Sequence, residues 1–253
     1  MSNRSKQKTF SRVAGLLKSI HSMNTRKGEL IFRIDSSGSV PQDPNSDRGE
    51  PETFAWIDSF LKPGQVMWDI GANIGVFSLY GACGGKNKIL ALEPSAESFA
   101  TLNANIRLNK LDKHIDALCL AGSNKTEILK LFMKDPSSGA SHNSIKDSTN
   151  QFGEFIVNGE QAIIGITLDD VRNVLNAPQT NHIKLDVDGK EPQILEGASL
   201  VLENTESLLI EIEGNNLTQN ISMIEGLVNK AGMEEDKSWR NKGSGRNRLY
   251  VRK

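Results

Sequence analysis

Cysteine is scarce in this chain. Its two residues, Cys83 and Cys119, form no CxxC pair, so neither a zinc knuckle nor a redox dithiol is legible. Such sparing use suits a reducing, cytoplasmic setting. Long apolar runs are missing too: none approaches the ~20 residues that span a bilayer. The N-terminus is basic but has no apolar stretch before Lys18 of the kind a secretory signal needs. Neither sign of charge dominates. With 30 basic and 31 acidic residues the net charge is −1, which gives no general attraction for nucleic acid or an anionic membrane. The ends are locally basic: residues 1–33 hold eight Lys or Arg and one acid, and residues 237–253 hold seven and no acid. Neither stretch interleaves aromatics as a nucleic-acid platform does, and both are expected as solvated ends.

What is present is an alternation of strand and helix patterns, with no internal repeat. At 253 residues the chain suits one large α/β domain. Residues 11–20 have the spacing of a short amphipathic helix, and 35–51 and 136–151 are rich in turn residues and read as loops. Helices are predicted over 52–61, 74–82, 95–108, 168–175, 192–202 and 221–231. Strands are predicted over 66–70, 88–92, 115–120, 127–133, 162–167, 183–187, 208–212 and 248–252. This order predicts a mostly parallel sheet with helices on both faces and ligands at the carboxyl ends of the strands. Residues 1–50 are expected as an N-terminal extension and loop, an element on the acceptor side, and residues 51–253 as the catalytic domain.

The strongest local signal is the run Trp68-Asp69-Ile70-Gly71-Ala72-Asn73-Ile74-Gly75, an apolar strand that breaks into a glycine loop and opens a helix. Glycines allow close backbone approach, and free N–H groups at a helix start favour an anionic group. A dinucleotide fingerprint needs glycine at the first, third and sixth positions. Here those positions are Gly71, Asn73 and Val76. Asp69 at the strand end would also repel a pyrophosphate, whereas it suits a ligand carrying an ammonium and a sulfonium, as S-adenosyl-L-methionine does. Glu93 ends the next strand, in Leu92-Glu93-Pro94-Ser95, where an acid can accept both hydroxyls of a ribose. Asp69, Gly71, Asn73, Gly75, Glu93, Pro94 and Ser95 are therefore the expected cofactor-binding residues.

A second cluster is Lys184-Leu185-Asp186-Val187-Asp188-Gly189-Lys190-Glu191. Strand alternation places Lys184, Asp186 and Asp188 on one side. Together with DIGANIG (69–75), ALEPSAESFATLNANIRLN (91–109), ITLDDV (166–171) and LLIEIE (208–213), the segment IKLDVDGKEPQILEGA (183–198) resembles the FkbM family of methyltransferases. Asp188 departs from the commonest form of that box, which has Glu. The resemblance implies a class I methyltransferase fold, Rossmann-like, with a mostly parallel seven-stranded sheet. It also implies methyl transfer from S-adenosyl-L-methionine to an oxygen acceptor, a hydroxylated carbohydrate in a polysaccharide or glycolipid. The alternatives are a secondary metabolite and, further off, protein or nucleic acid.

An alcohol must lose a proton as it attacks. Asp186 is the first choice for a general base or a ligand of a divalent ion such as Mg²⁺, with Asp188 and Glu191 as partners. An acid at a helix start, like Glu191, is also explained by the helix dipole alone. His142, in the polar loop SGASHNS, is a candidate base or acceptor contact on a lid. Nothing in the sequence sets the oligomeric state.

Overall fold

The computed structural model describes residues 19–41, 49–145, 149–150, 153–212 and 220–253. Its centre is a seven-stranded sheet. In chain order the strands are β1 (Val66–Ile70), β2 (Lys88–Leu92), β3 (Ile115–Leu118), β4 (His182–Leu185), β5 (Ser207–Glu211), β6 (Met233–Glu235) and β7 (Asn247–Arg252). They lie in the order β6-β7-β5-β4-β1-β2-β3. All neighbours are parallel except β7, which pairs antiparallel with β5 and β6. Among the described residues the α-helices are α1 (Pro51–Phe60), α2 (Val76–Ala82), α3 (Ala96–Leu108), α4 (Leu168–Asn173), α5 (Glu191–Glu196), α6 (Ser199–Leu202) and α7 (Ile221–Lys230).

Strand alternation divides the core into two layers. Met67, Ile89, Ala91 and Leu209 point to one face, where they pack with Phe54, Trp56, Leu79 and Leu102 of α1, α2 and α3. Their strand neighbours Trp68, Leu90, Leu208 and Ile210 point to the other, against Val171, Ile194, Val201 and Val228 of α4 to α7. The seven-stranded α/β sheet, with helices on both faces, is the fold the sequence predicts.

Residues 19–34 depart from the expectation of an extension. Residues 11–18 of the anticipated amphipathic helix lie outside the described residues, and Ser19 and Ile20 open a strand. Ser19–Thr25 and Gly28–Ile34 form an antiparallel hairpin that buries Met23, Leu30 and Phe32 in the first core layer. Its second strand meets α3 through side-chain amides. Asn105 Oδ1 accepts from Arg33 N at 2.8 Å and Asn109 Oδ1 from Ile31 N at 2.9 Å, while Asn109 Nδ2 donates to the Ile31 carbonyl at 2.7 Å.

Other elements also differ from their expected bounds or neighbours. The helix expected over 192–202 breaks at Gly197, where a Cβ would come within 2.5 Å of the Ser123 carbonyl oxygen. The helix expected from Ile74 starts at Val76, because Gly75 turns the chain at φ +91°. The strands expected over 127–133 and 162–167 leave the central sheet. As Glu127–Met133 and Gly159–Ile166 they join Ala121–Gly122 and Ser144–Ile145 in a second, four-stranded sheet.

The basic C-terminal stretch is paired rather than presented. Arg240 bonds Glu235, Arg248 lies against Glu225, Lys253 reaches Glu234, and Arg252 donates to the Thr205, Leu202 and Ala231 carbonyls. Among the described residues no helix is long and apolar enough to cross a membrane.

The hairpin is packed as part of the domain. Phe32→Ala should therefore lower unfolding stability by about 3–5 kcal/mol, in one cooperative transition followed by urea titration. A second, separate transition would show the hairpin to be an appendage.

Candidate active site

Sheet register builds the site. Ile70 pairs with Leu92 and Leu185, Leu185 with Ile210, and Leu92 with Leu118. Leu92, Ile70, Leu185 and Ile210 thus stand at one level, and the next residues, Glu93, Gly71, Asp186 and Glu211 (the last of β5), form a row along one edge. Strand order reverses between β1 and β4, which opens a crevice there. Two cavities flank it. Glu93, Pro94, Ser95, Leu92, Leu120 and Ile194 line the first. Glu50, Phe77, His142, Lys184, Glu211 and Arg246 line the second. Gly71, Asn73, Ser141, Asp186 and Asp188 belong to both walls.

The glycine loop makes this junction possible. Gly71 sits at φ +87°, and a Cβ there would fall 1.9 Å from the Asp186 carbonyl oxygen. No other residue fits a crossing this close. Asn73 follows at φ +51°, and its N–H donates to Glu93 Oε2 at 2.8 Å. Ser95 N–H donates to Glu93 Oε1 at 2.8 Å. Burial pushes the Glu93 pKa up to about 7, although these two N–H bonds oppose the shift. Ser95 also caps α3, accepting from Ser98 N. Gly75 serves packing: a Cβ there would lie 2.3 Å from Leu102 Cδ1.

Asp69 is placed differently from the other loop residues. It is buried beneath the loop, lines neither cavity, and accepts from Ser78 Oγ at 2.5 Å, while Oδ1 has no hydrogen-bond partner. Burial raises its pKa, against the pull of Lys184.

The acid box divides into parts. β4 ends at Leu185, so strand alternation does not extend to Asp188. Lys184 is buried, and Nζ donates to Asp186 Oδ2 at 2.7 Å while sitting 4.9 Å over the Phe77 ring. Burial opposes its charge, but Asp186, Glu50 and Asp69 more than offset that and hold the ammonium protonated. Asp188, at φ +56°, turns towards His142. The His142 N–H donates to Asp188 Oδ2 at 2.7 Å, and its Nδ1 lies 3.4 Å from Oδ1. Glu191 lines neither cavity; its Oε1 accepts from Val187 N and Gly189 N, both at 3.2 Å, tying the turn to the start of α5.

The loop carrying His142 is strapped down at several points. Ser36 Oγ donates to the Ser138 carbonyl, Ser138 Oγ donates to Thr101 Oγ1 at 2.7 Å, and Gly139 N donates to Ser98 Oγ at 3.0 Å. The loop therefore spans both cavities, held by α3 on one side and Asp188 on the other.

Glu50, Glu211 and Arg246 escape the sequence reading. Carboxylate oxygens of Glu50, Asp186 and Glu211 lie within 4.8 Å of one another. Arg246 Nη1 is 3.0 Å from Glu211 Oε1, and Nη2 is 3.8 Å from Glu50 Oε1. Glu211 carries the same signal as Glu93, an acid closing a buried apolar strand. Glu50 and Arg246 sit in loops with no local pattern to mark them. This trio differs from the anticipated metal set, since Asp188 and Glu191 are turned elsewhere. Lys184 and Arg246 already lie against its oxygens and supply positive charge without a metal ion.

Comparisons with known proteins bear on the family and the fold. The model of the methyltransferase FkbM domain matches residues 69–234. The hexuronic acid methyltransferase AglP of Haloferax volcanii is 26% identical over 165 residues, a match covering 65% of this chain and 63% of that protein's length. Among solved structures, PH0793 of Pyrococcus horikoshii, assigned as a transferase, superposes with a TM-score of 0.51 at 13% identity, covering 92% of this chain and 70% of that one.

The raised pKa of Glu93 carries a stability signature. Its ordinary value is 4.5 and its folded value about 7, so its contribution is fully present below pH 4.5 and is lost as pH rises to 7. In urea titrations of the ligand-free protein, wild type should lose about 3 kcal/mol relative to Glu93→Gln across that window. Parallel stability curves would show that Glu93 ionises normally.

Proposed function

This chain belongs to the FkbM methyltransferase family, and on that premise we propose that it moves a methyl group from S-adenosylmethionine to a hydroxyl oxygen of a sugar. One observation carries the reading: two cavities share a wall containing Asp186, one lined by Glu93 and by apolar Leu92, Leu120 and Ile194, the other by the polar Glu50, Lys184, Glu211 and Arg246 beside Phe77.

The first cavity fits S-adenosylmethionine. Glu93 offers a buried carboxylate for ribose hydroxyls, and Leu92, Leu120 and Ile194 give apolar walls for a flat base. Gly71 and Asn73, both at positive φ, bring bare backbone to the wall of this cavity, where a ligand can approach closely. When bound, S-adenosylmethionine supplies an activated methyl group, so the chain's own task is mainly alignment.

In the second cavity Asp186 accepts the hydrogen bond of the attacking hydroxyl and takes its proton. The oxygen becomes strongly acidic as its new bond to carbon forms, so a carboxylate of low pKa suffices. Lys184 fixes that carboxylate from beneath, 2.7 Å away. Phe77 presents an aromatic face suited to a sugar ring. The His142 loop, latched to Asp188, limits water at the junction. Glu191 holds the turn that carries Asp188 rather than touching the acceptor.

A sugar acceptor is supported by the AglP relative, whose name assigns it hexuronic acid. The pairing of Arg240, Arg248 and Lys253 with acids argues against a duplex partner.

Asp186→Asn should lower methyl transfer from labelled S-adenosylmethionine by roughly 10²–10⁴-fold, while calorimetry still detects cofactor binding. The acceptor panel should hold hexuronic acid glycans and neutral hexoses beside peptide and RNA. Transfer to peptide or RNA alone would overturn the sugar reading, and undiminished transfer by Asp186→Asn would overturn the role of that residue.

A further inference from the structure

The four-stranded sheet takes no part in the chemistry above, yet it walls the first cavity. Leu131 and Ile145, paired across two of its strands, both line that cavity. Gln161 stands opposite Leu131 on the other side, in the strand Gly159–Ile166. Residues directly opposite share one face of a sheet, so Gln161, Leu131 and Ile145 form a single row. Ile163, two residues further along the same face, is buried in the apolar packing of this sheet. A polar side chain on such a face is costly unless its polar atoms are bonded.

Both polar atoms of Gln161 are bonded, and both cross to the turn after β2. Nε2 donates to the Pro94 carbonyl at 2.8 Å, and Oε1 accepts from Ala96 N at 2.9 Å. One planar amide thus spans Ser95 and fixes the peptide groups on either side of it. The first joins Pro94 to Ser95. A peptide group is flat and trans, so its carbonyl and its N–H point opposite ways. Gln161 holds the carbonyl end; the N–H end, on Ser95, donates to Glu93 Oε1 at 2.8 Å. The second carries the Ala96 N–H at the first position of α3, a donor that the helix itself leaves unsatisfied. Cys119 Sγ also approaches the Pro94 carbonyl, at 3.6 Å, but a thiol is a weak donor.

We propose that Gln161 is a positioning residue for the cofactor: by locking the Pro94–Ser95 peptide it aims the Glu93 carboxylate at the ribose hydroxyls. The role rests on the reading of the first cavity as the S-adenosylmethionine site. Gln161 does not line that cavity, so its effect passes through Glu93. The same two bonds set Glu93 against the apolar wall of Leu131 and Ile145, and so join the carboxylate for the sugar to the surface for the base.

Calorimetry with S-adenosyl-L-homocysteine and its 2′-deoxy counterpart tests this. Wild type should prefer the ribose ligand roughly tenfold, as expected for a hydrogen bond to a charged acceptor. Gln161→Met keeps the length of the side chain and removes the amide. It should bind the ribose ligand about tenfold more weakly and the deoxy ligand almost unchanged, so that the preference disappears. A loss shared equally by both ligands would mark a structural role alone and overturn the proposal, as would an undiminished preference. If Gln161→Met does not fold, Gln161→Glu decides. It can still accept from Ala96 N but has no donor for the Pro94 carbonyl, and it too should lose the preference. A wild type that binds neither ligand, or both alike, brings down the cavity reading and the proposal with it. A preference that survives the substitutions brings down the proposal alone.

Discussion

The level register of β2, β1, β4 and β5 at the cavity edge is the constraint on which the site depends. Parallel pairing fixes Ile70, Leu92, Leu185 and Ile210 at one level, so the residue after each of them must fall on a common edge. The sequence uses that edge sparingly: one glycine where two backbones cross, and three acids beside it. A slip of one residue in any strand would turn its acid from the cavities into the apolar core. Chemistry and packing are therefore specified by the same hydrogen-bond ladder.

Placing so many charges beneath a crevice is expensive in isolation. A buried ammonium such as Lys184 survives only with close opposite charge, and Asp186 supplies it at 2.7 Å. The benefit is rigidity where the two cavities meet. Asp186 is held by Lys184 of β4 at 2.7 Å, and the turn that follows it is tied by Glu191 to the start of α5. The two cavities share the carboxylates of Asp186 and Asp188 in their common wall.

Much of this was legible in the chain. Apolar runs of four or five residues marked β1, β2, β4 and β5; the end of the β2 run named Glu93, and alternation along the strand expected over 183–187 named Asp186. The glycine spacing separated a sulfonium nucleoside from a dinucleotide before any fold was known. The hairpin over 19–34 stayed hidden because its first strand, Ser19–Thr25, is mostly polar, which left the short run Leu30-Ile31-Phe32 without a recognisable partner. Alternation misled at Asp188, since β4 ends three residues earlier, at Leu185, and the chain then turns through positive φ. Glu50 and Arg246 were invisible for a different reason. They join the site only through tertiary folding, from loops almost two hundred positions apart.

Asn105 and Asn109 do more than attach the hairpin to α3. A strand such as Gly28–Ile34 presents one side of its backbone ladder outward, a template onto which another chain can add. The two asparagines occupy that template with side-chain amides, copying the donor and acceptor pattern of a neighbouring strand. The same Asn105 donates to the Ile74 carbonyl at 2.9 Å. A single amide thus guards the rim of the molecule against unwanted self-association while bracing the loop that would meet the methyl donor.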